Sequence, residues 1–119
     1  FAENDPVQTM IFDEIDTGVS GVAAQRVGEK LFQVSLGKQV MCVTHLPQIA
    51  AMADSHYVIK KEERSGRTYT DVLPLDKEGR LRELARLHGG DNITELTLAS
   101  AAEQLENAAK FKETVKTRP

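Results

Sequence analysis

Two short apolar runs, set one helix length apart, constrain this chain more than any other feature. The first lies in Thr9–Gly21. It passes through Met10, Ile11 and Phe12 to the adjacent carboxylates Asp13 and Glu14, then enters a turn containing Gly18, Ser20 and Gly21. The second, Gln39-Val40-Met41-Cys42-Val43-Thr44, ends at His45. A short apolar run bounded by turn residues reads as a buried strand. Between the two, Gly21 to Leu36 repeats Ala23, Val27, Leu31 and Val34 at helical spacing, with Gln25, Arg26, Glu29, Lys30 and Gln33 on the other side. Strand, helix and strand make a βαβ unit, whose crossover is nearly always right-handed. Its helix is expected to pack on the sheet. The C-terminal ends of two parallel strands share one edge, so His45 is expected beside Asp13 and Glu14. In open α/β sheets ligands bind outside that edge.

The residue types at that edge have a common chemistry. Asp13 supplies the oxygen ligand that a hydrated Mg2+ prefers. Glu14 is placed to orient or deprotonate a water for attack on phosphorus. His45 suits contact with a γ-phosphate. Taken singly, each has a plainer reading. An Asp-Glu pair after a strand is often a polar loop capping the next helix, and a strand-end histidine is often a structural hydrogen bonder. The three together at one sheet edge favour a Mg-nucleotide site.

With these residues in place, the chain resembles the ABC-type ATPases, and among them the SMC-like ATPases of DNA repair. Thr9–Glu14 looks like the Walker B strand of that family, Thr17–Ser20 falls at its D-loop, and Thr44-His45 looks like its H-loop. The likeness extends from Phe12–Gly21 through Val43–Ala51 and on to the Leu84–Leu96 region. The ABC D-loop usually ends in Asp where this chain has Ser20, a departure shared by the repair ATPases it resembles. The resemblance implies an α/β fold: the C-terminal part of a P-loop NTPase head, with a parallel core sheet, flanking helices and an appended β-hairpin. It also implies ATP and Mg2+ as cofactors, Glu14 and His45 as catalytic residues, and Asp13, Thr17, Gly18 and Ser20 at the nucleotide, with Asp13 on Mg2+, through water. Implied partners are the N-terminal lobe of the same head, a second head in an ATP-sandwiched homodimer, and DNA. The implied process is repair of DNA double-strand breaks by recombination, in the cytoplasm at the nucleoid.

Nothing in the chain matches a Gly-x-x-x-x-Gly-Lys-Ser/Thr phosphate loop or a Leu-Ser-Gly-Gly signature. In the family both precede Walker B. Residues 1–119 are therefore expected to form the C-terminal lobe of a larger head and, alone, to bind ATP poorly and hydrolyse none. Two rival readings use the same residues. A Toprim-like phosphotransfer domain would bind metal through Asp13, Glu14 and Asp16, but leaves His45 and Thr17–Ser20 without a role. An interaction lobe with a vestigial site would need no chemistry.

Composition narrows the field further. A chain of 119 residues suits one modest domain, and a net charge of −3 argues against a basic nucleic-acid-binding module. The single cysteine, Cys42, excludes an intrachain disulfide and reads as a small buried hydrophobe, in keeping with a reducing cytoplasm. No apolar run approaches the length of a membrane span, so no membrane partner is expected.

Beyond His45, Pro47–Ala53 reads as a short helix started by its proline. Its N-terminus would face the site, where a partial positive charge can favour phosphate, although the plainer reading, that Pro47 only starts a helix, is preferred for the energetics. Ser55–Glu62 and Arg67–Pro74 read as a hairpin turning across Glu63-Arg64-Ser65-Gly66. Lys60, Lys61, Arg64 and Arg67 gather near the turn, diluted by Glu62, Glu63 and Asp71. That mixture reads as a charged edge more readily than as a DNA-binding patch. Asp76–Leu87 reads as an amphipathic helix with Leu81, Leu84, Ala85 and Leu87 inward and Arg80, Arg82, Glu83 and Arg86 outward, ended by His88-Gly89-Gly90. A last helix is expected from Asn92 as N-cap with Glu95 completing a capping box. Its apolar stripe is Leu98, Ala102, Leu105 and Ala109, and a frayed polar end follows from Lys110.

Overall fold

The structure, a computed structural model, describes residues 8–13 and 21–117. Strand β1 (Thr9–Asp13) and strand β2 (Gln39–Val43) pair in parallel, joined through helix α1 (Gly21–Ser35). Helix α2 (Pro47–Ala50) follows at once, then strands β3 (Tyr57–Arg64) and β4 (Arg67–Pro74), helix α3 (Lys77–Gly89) and helix α4 (Glu95–Lys116). The α/β expectation holds: a parallel pair, flanking helices and an appended antiparallel hairpin.

The register of the parallel pair runs from Thr9 opposite Gln39 to Asp13 opposite Val43. Side chains alternate across it. Met10, Phe12, Val40 and Cys42 are half-buried, whereas Thr9, Ile11 and Asp13, with Gln39, Met41 and Val43, face outward. On that outer face the Thr9 hydroxyl donates to Gln39 Oε1 across the strands at 2.9 Å.

The hairpin turns on two residues, Ser65 and Gly66, both with positive φ (52° and 76°). That is the backbone a two-residue hairpin needs to match strand twist, and glycine adopts it without a Cβ penalty. The turn is tighter than the four residues expected, because β3 extends through Arg64, opposite Arg67. Lys60 and Lys61, being successive, face opposite sides. The Arg64 guanidinium lies 4.5 Å from the Tyr69 ring centroid and 3.4 Å from Glu62. Lys60, Arg64 and Arg67 therefore share one face with Glu62 among them, and Lys61 lies on the other.

The core lies among the helices. Phe32, Ala50, Ala51, Met52, Leu84, Ala85, Ala101 and Ala108 form it, with Leu81, Leu87, Leu98, Leu105 and Phe111 packed against it. Several sequence expectations shift here for physical reasons. Helix α1 buries Ala24, Gly28 and Phe32 most deeply and leaves Val27, Leu31 and Val34 half-buried and Ala23 exposed, because it lies chiefly against α2 and to a lesser extent against β2. Gly28 permits this approach: a Cβ there would sit 3.0 Å from the Gln48 carbonyl oxygen and from Met52 Cγ. Helix α4 buries Ala101 and Ala108 instead of Ala102 and Ala109. Its N-cap is Thr94, not Asn92, since Thr94 and Thr97 exchange reciprocal bonds: Thr97 N–H donates to Thr94 Oγ1 at 3.1 Å, and Thr94 N–H to Thr97 Oγ1 at 2.9 Å. The same helix stays regular to Lys116, past the expected fraying point, because Lys112 and Lys116 lie over the Phe32 ring (5.3 and 6.0 Å). Helix α3 is capped by the Asp76 carboxylate accepting from Gly79 N–H at 2.7 Å, and it includes His88.

Candidate functional site

At the C-terminal edge of the parallel pair, Asp13 ends β1 and His45 stands two residues beyond the last residue of β2. Because Asp13 is in register with Val43, the fold brings the expected carboxylate and histidine to one edge. Both are exposed to solvent. Glu14, Thr17, Gly18 and Ser20 lie outside the described residues.

The His45 turn is built locally. The Thr44 hydroxyl accepts from Leu46 N–H at 3.0 Å, a side-chain turn that bends the chain out of β2. The Leu46 carbonyl then accepts from Ile49 and Ala50 N–H (3.1 and 3.0 Å), and Pro47 takes the first helical position. Helix α2 is a single turn of four residues, shorter than the expected 47–53, so its dipole is too small to hold a phosphate by itself.

Beside this edge, burial and the Asp13 charge push the Cys42 thiol above its ordinary pKa. It therefore stays a protonated, unreactive neighbour. Among the described residues no group of three or more His, Cys, Asp or Glu side chains could hold a metal ion. Asp13 offers a single hard oxygen donor open to solvent. That suits Mg2+, which keeps most of its waters and binds through one or two carboxylates.

Sequence reasoning missed what holds α2 from behind. Arg80, expected to face outward, is half-buried. Its Nη2 donates to the carbonyls of Ala50 (3.2 Å), Ala51 (3.0 Å) and Ala53 (2.5 Å). Lys112 Nζ donates to the Ala53 carbonyl at 2.9 Å and pairs with Asp54 at 3.1 Å. These carbonyls belong to the last residue of α2, its C-cap and the turn that follows, where backbone acceptors outnumber helical donors. One sequence cue was available: Arg80 lies four residues before Leu84, on the same helical stripe. Next to it, burial and the Arg80 charge hold the His56 imidazole below its usual pKa. Glu83, accepting from Arg86 at 2.6 Å, is held below the usual carboxylate range, first by that hydrogen bond.

No family model matches the chain. Individual relatives do. The DNA repair protein RecN of Bacillus subtilis (strain 168) is 49% identical over 114 residues, 96% of this chain. RecN of Vibrio cholerae is 48% identical over 82% of it, and RecN of Streptomyces coelicolor 44% over 91%. By sequence this chain is RecN-related. The match to the Bacillus RecN leaves out no more than a few residues, so it takes in both Asp13 and His45. The chain spans about a fifth of the length of the RecN relatives it matches (20% for the Bacillus protein). A solved structure from work on ATP-driven dimerization and DNA-stimulated activation of SMC ATPases has a TM-score of 0.56 at 23% identity, covering 73% of this chain and 52% of its own. That likeness is one of fold.

Proposed function

We propose that this chain is the C-terminal lobe of an SMC-like, ABC-type ATPase head of the RecN kind, which hydrolyses ATP during repair of DNA double-strand breaks. The observation that carries the reading is the register of β1 with β2, which puts Asp13 and His45 on one edge in a chain RecN-related nearly end to end. The phosphate loop and signature come from other residues of the complete protein. When bound, Mg-ATP supplies the electrophilic γ-phosphoryl group. Asp13 would hold Mg2+ through its bound waters. The Glu14 carboxylate takes a proton from the attacking water, and the His45 imidazole donates to a γ-phosphate oxygen. Thr17, Gly18 and Ser20 would serve the nucleotide shared between the two heads. The partners are the N-terminal lobe, a second copy of the head and DNA; no helix among the described residues is long and apolar enough to cross a membrane.

Glu14→Gln in the complete head tests this most directly. It keeps size and hydrogen bonding while removing the base, so turnover is expected to fall by about 10²-fold or more. ATP should still bind, and ATP-bridged dimers should accumulate on gel filtration with Mg-ATP. Wild-type turnover, or a variant that stays monomeric when saturated with ATP, would overturn the assignment.

A further inference from the structure

We infer that Arg80, assisted by Lys112, is a positioning residue for His45, acting through α2. This rests on the ATPase reading of His45. The argument begins from the length of α2. A helix of one turn has no cooperative stability of its own, so the direction in which it carries Leu46 and His45 is set by what grips its ends. At the front, Thr44 Oγ1 and the Leu46 carbonyl tie the turn to the helix. At the back, the Arg80 guanidinium and the Lys112 ammonium take the carbonyls of Ala50, Ala51 and Ala53. From the side, α1 approaches so closely at Gly28 that a methyl group would strike Gln48 and Met52. The chain from Thr44 to Asp54 is thus one hydrogen-bonded unit, anchored by cations reaching in from α3 and α4.

Arg80 suits this work in a way that a lysine would not. Its Nη2 reaches three carbonyls from one planar head, and the geometry of that head is fixed. Releasing it frees the rear of α2 and, through Leu46, the backbone that carries the imidazole. Misplacement of a catalytic group by a fraction of an ångström is enough to slow a reaction severalfold without weakening substrate binding.

The test uses the complete protein with Arg80→Met, Arg80→Lys and Lys112→Met, each alone and with His45→Ala. The ring signal of His45 in 13C-histidine-labelled protein, assigned by its loss in His45→Ala, is expected to move in Arg80→Met and to move less in Arg80→Lys. ATP turnover by Arg80→Met should lose about 10-fold in kcat with KM within about 2-fold of wild type, and the double variant with His45→Ala should be no slower than His45→Ala alone. An unmoved His45 signal, or kcat losses that multiply, would overturn the proposal. Should His45→Ala itself leave turnover intact, the ATPase role of His45 fails, and the ring signal alone then decides whether the clamp positions it. If Arg80→Met does not fold, Arg80→Lys and Lys112→Met are judged by the same signal.

Discussion

Leu84 on α3 is wholly out of solvent, while Ile11 in the middle of β1 is 69% exposed and Val72 in β4 is 60% exposed. The helices have closed a core of alanines around Phe32, Met52 and Leu84. The strands, by contrast, satisfy their hydrogen bonds in pairs and leave apolar side chains bare. The difference teaches where this chain holds its stability and where it presents chemistry. The proposed nucleotide edge belongs to the bare strands, yet its histidine hangs from a helix whose other end is sunk in the core. The site is therefore placed on exposed backbone and steadied from the buried side.

Substitution in the helical core should cost most. Leu84→Ala removes a fully buried side chain from a site walled by α2 and α4, and is expected to destabilise by about 2–5 kcal/mol in denaturant unfolding. A loss below about 1 kcal/mol would mean that the helices are not the stable half.

The junction between the halves should respond to pH. His56 sits where the hairpin meets the helices, and its carbonyl accepts from Leu75 N–H at 2.9 Å. Its folded pKa is lowered, so the unfolded chain binds the proton more readily. Stability is then complete above the unfolded value of about 6.5 and declines as pH falls through it toward the folded pKa. His56→Gln should flatten the stability profile between about pH 7 and 5. Glu83, lowered in the folded state, acts in the same direction but only at more acid pH, so the two separate along the titration. A slope that survives His56→Gln would move the sensor elsewhere.

The smallest effect is expected in the strands. Ile11→Ala should change the stability of the isolated chain by no more than about 0.5 kcal/mol, as for other exposed positions. A cost equal to that of Leu84→Ala would erase the contrast between the halves.

Much of this was legible in the sequence. The two apolar runs and the helix length between them specified a parallel pair, and a parallel pair leaves no choice about which edge Asp13 and His45 share. The Arg67–Pro74 strand was also legible, because the alternation and Ser-Gly turn of a hairpin are local properties. What escaped was relational. Periodicity placed an apolar face on α1 but could not say that α2, rather than the sheet, would meet it, and Gly28 rather than Val27 marks that meeting. Arg80 looked like one of several surface cations, because its partners are backbone carbonyls some thirty positions away, which no side-chain pattern records. Asn92 lost the helix start to Thr94 through the reciprocal bonds of Thr94 and Thr97.

The uncovered face of the β1–β2 pair also bears on how this polypeptide behaves in a test tube. Ile11, Met41 and Val43 are exposed on a ribbon of two strands to which no third strand is paired among the described residues. Such a ribbon is a template for strand addition by another copy. Produced as 119 residues alone, the chain is expected to be sticky in proportion to its concentration, and a screen for soluble material would do well to begin by making that face polar.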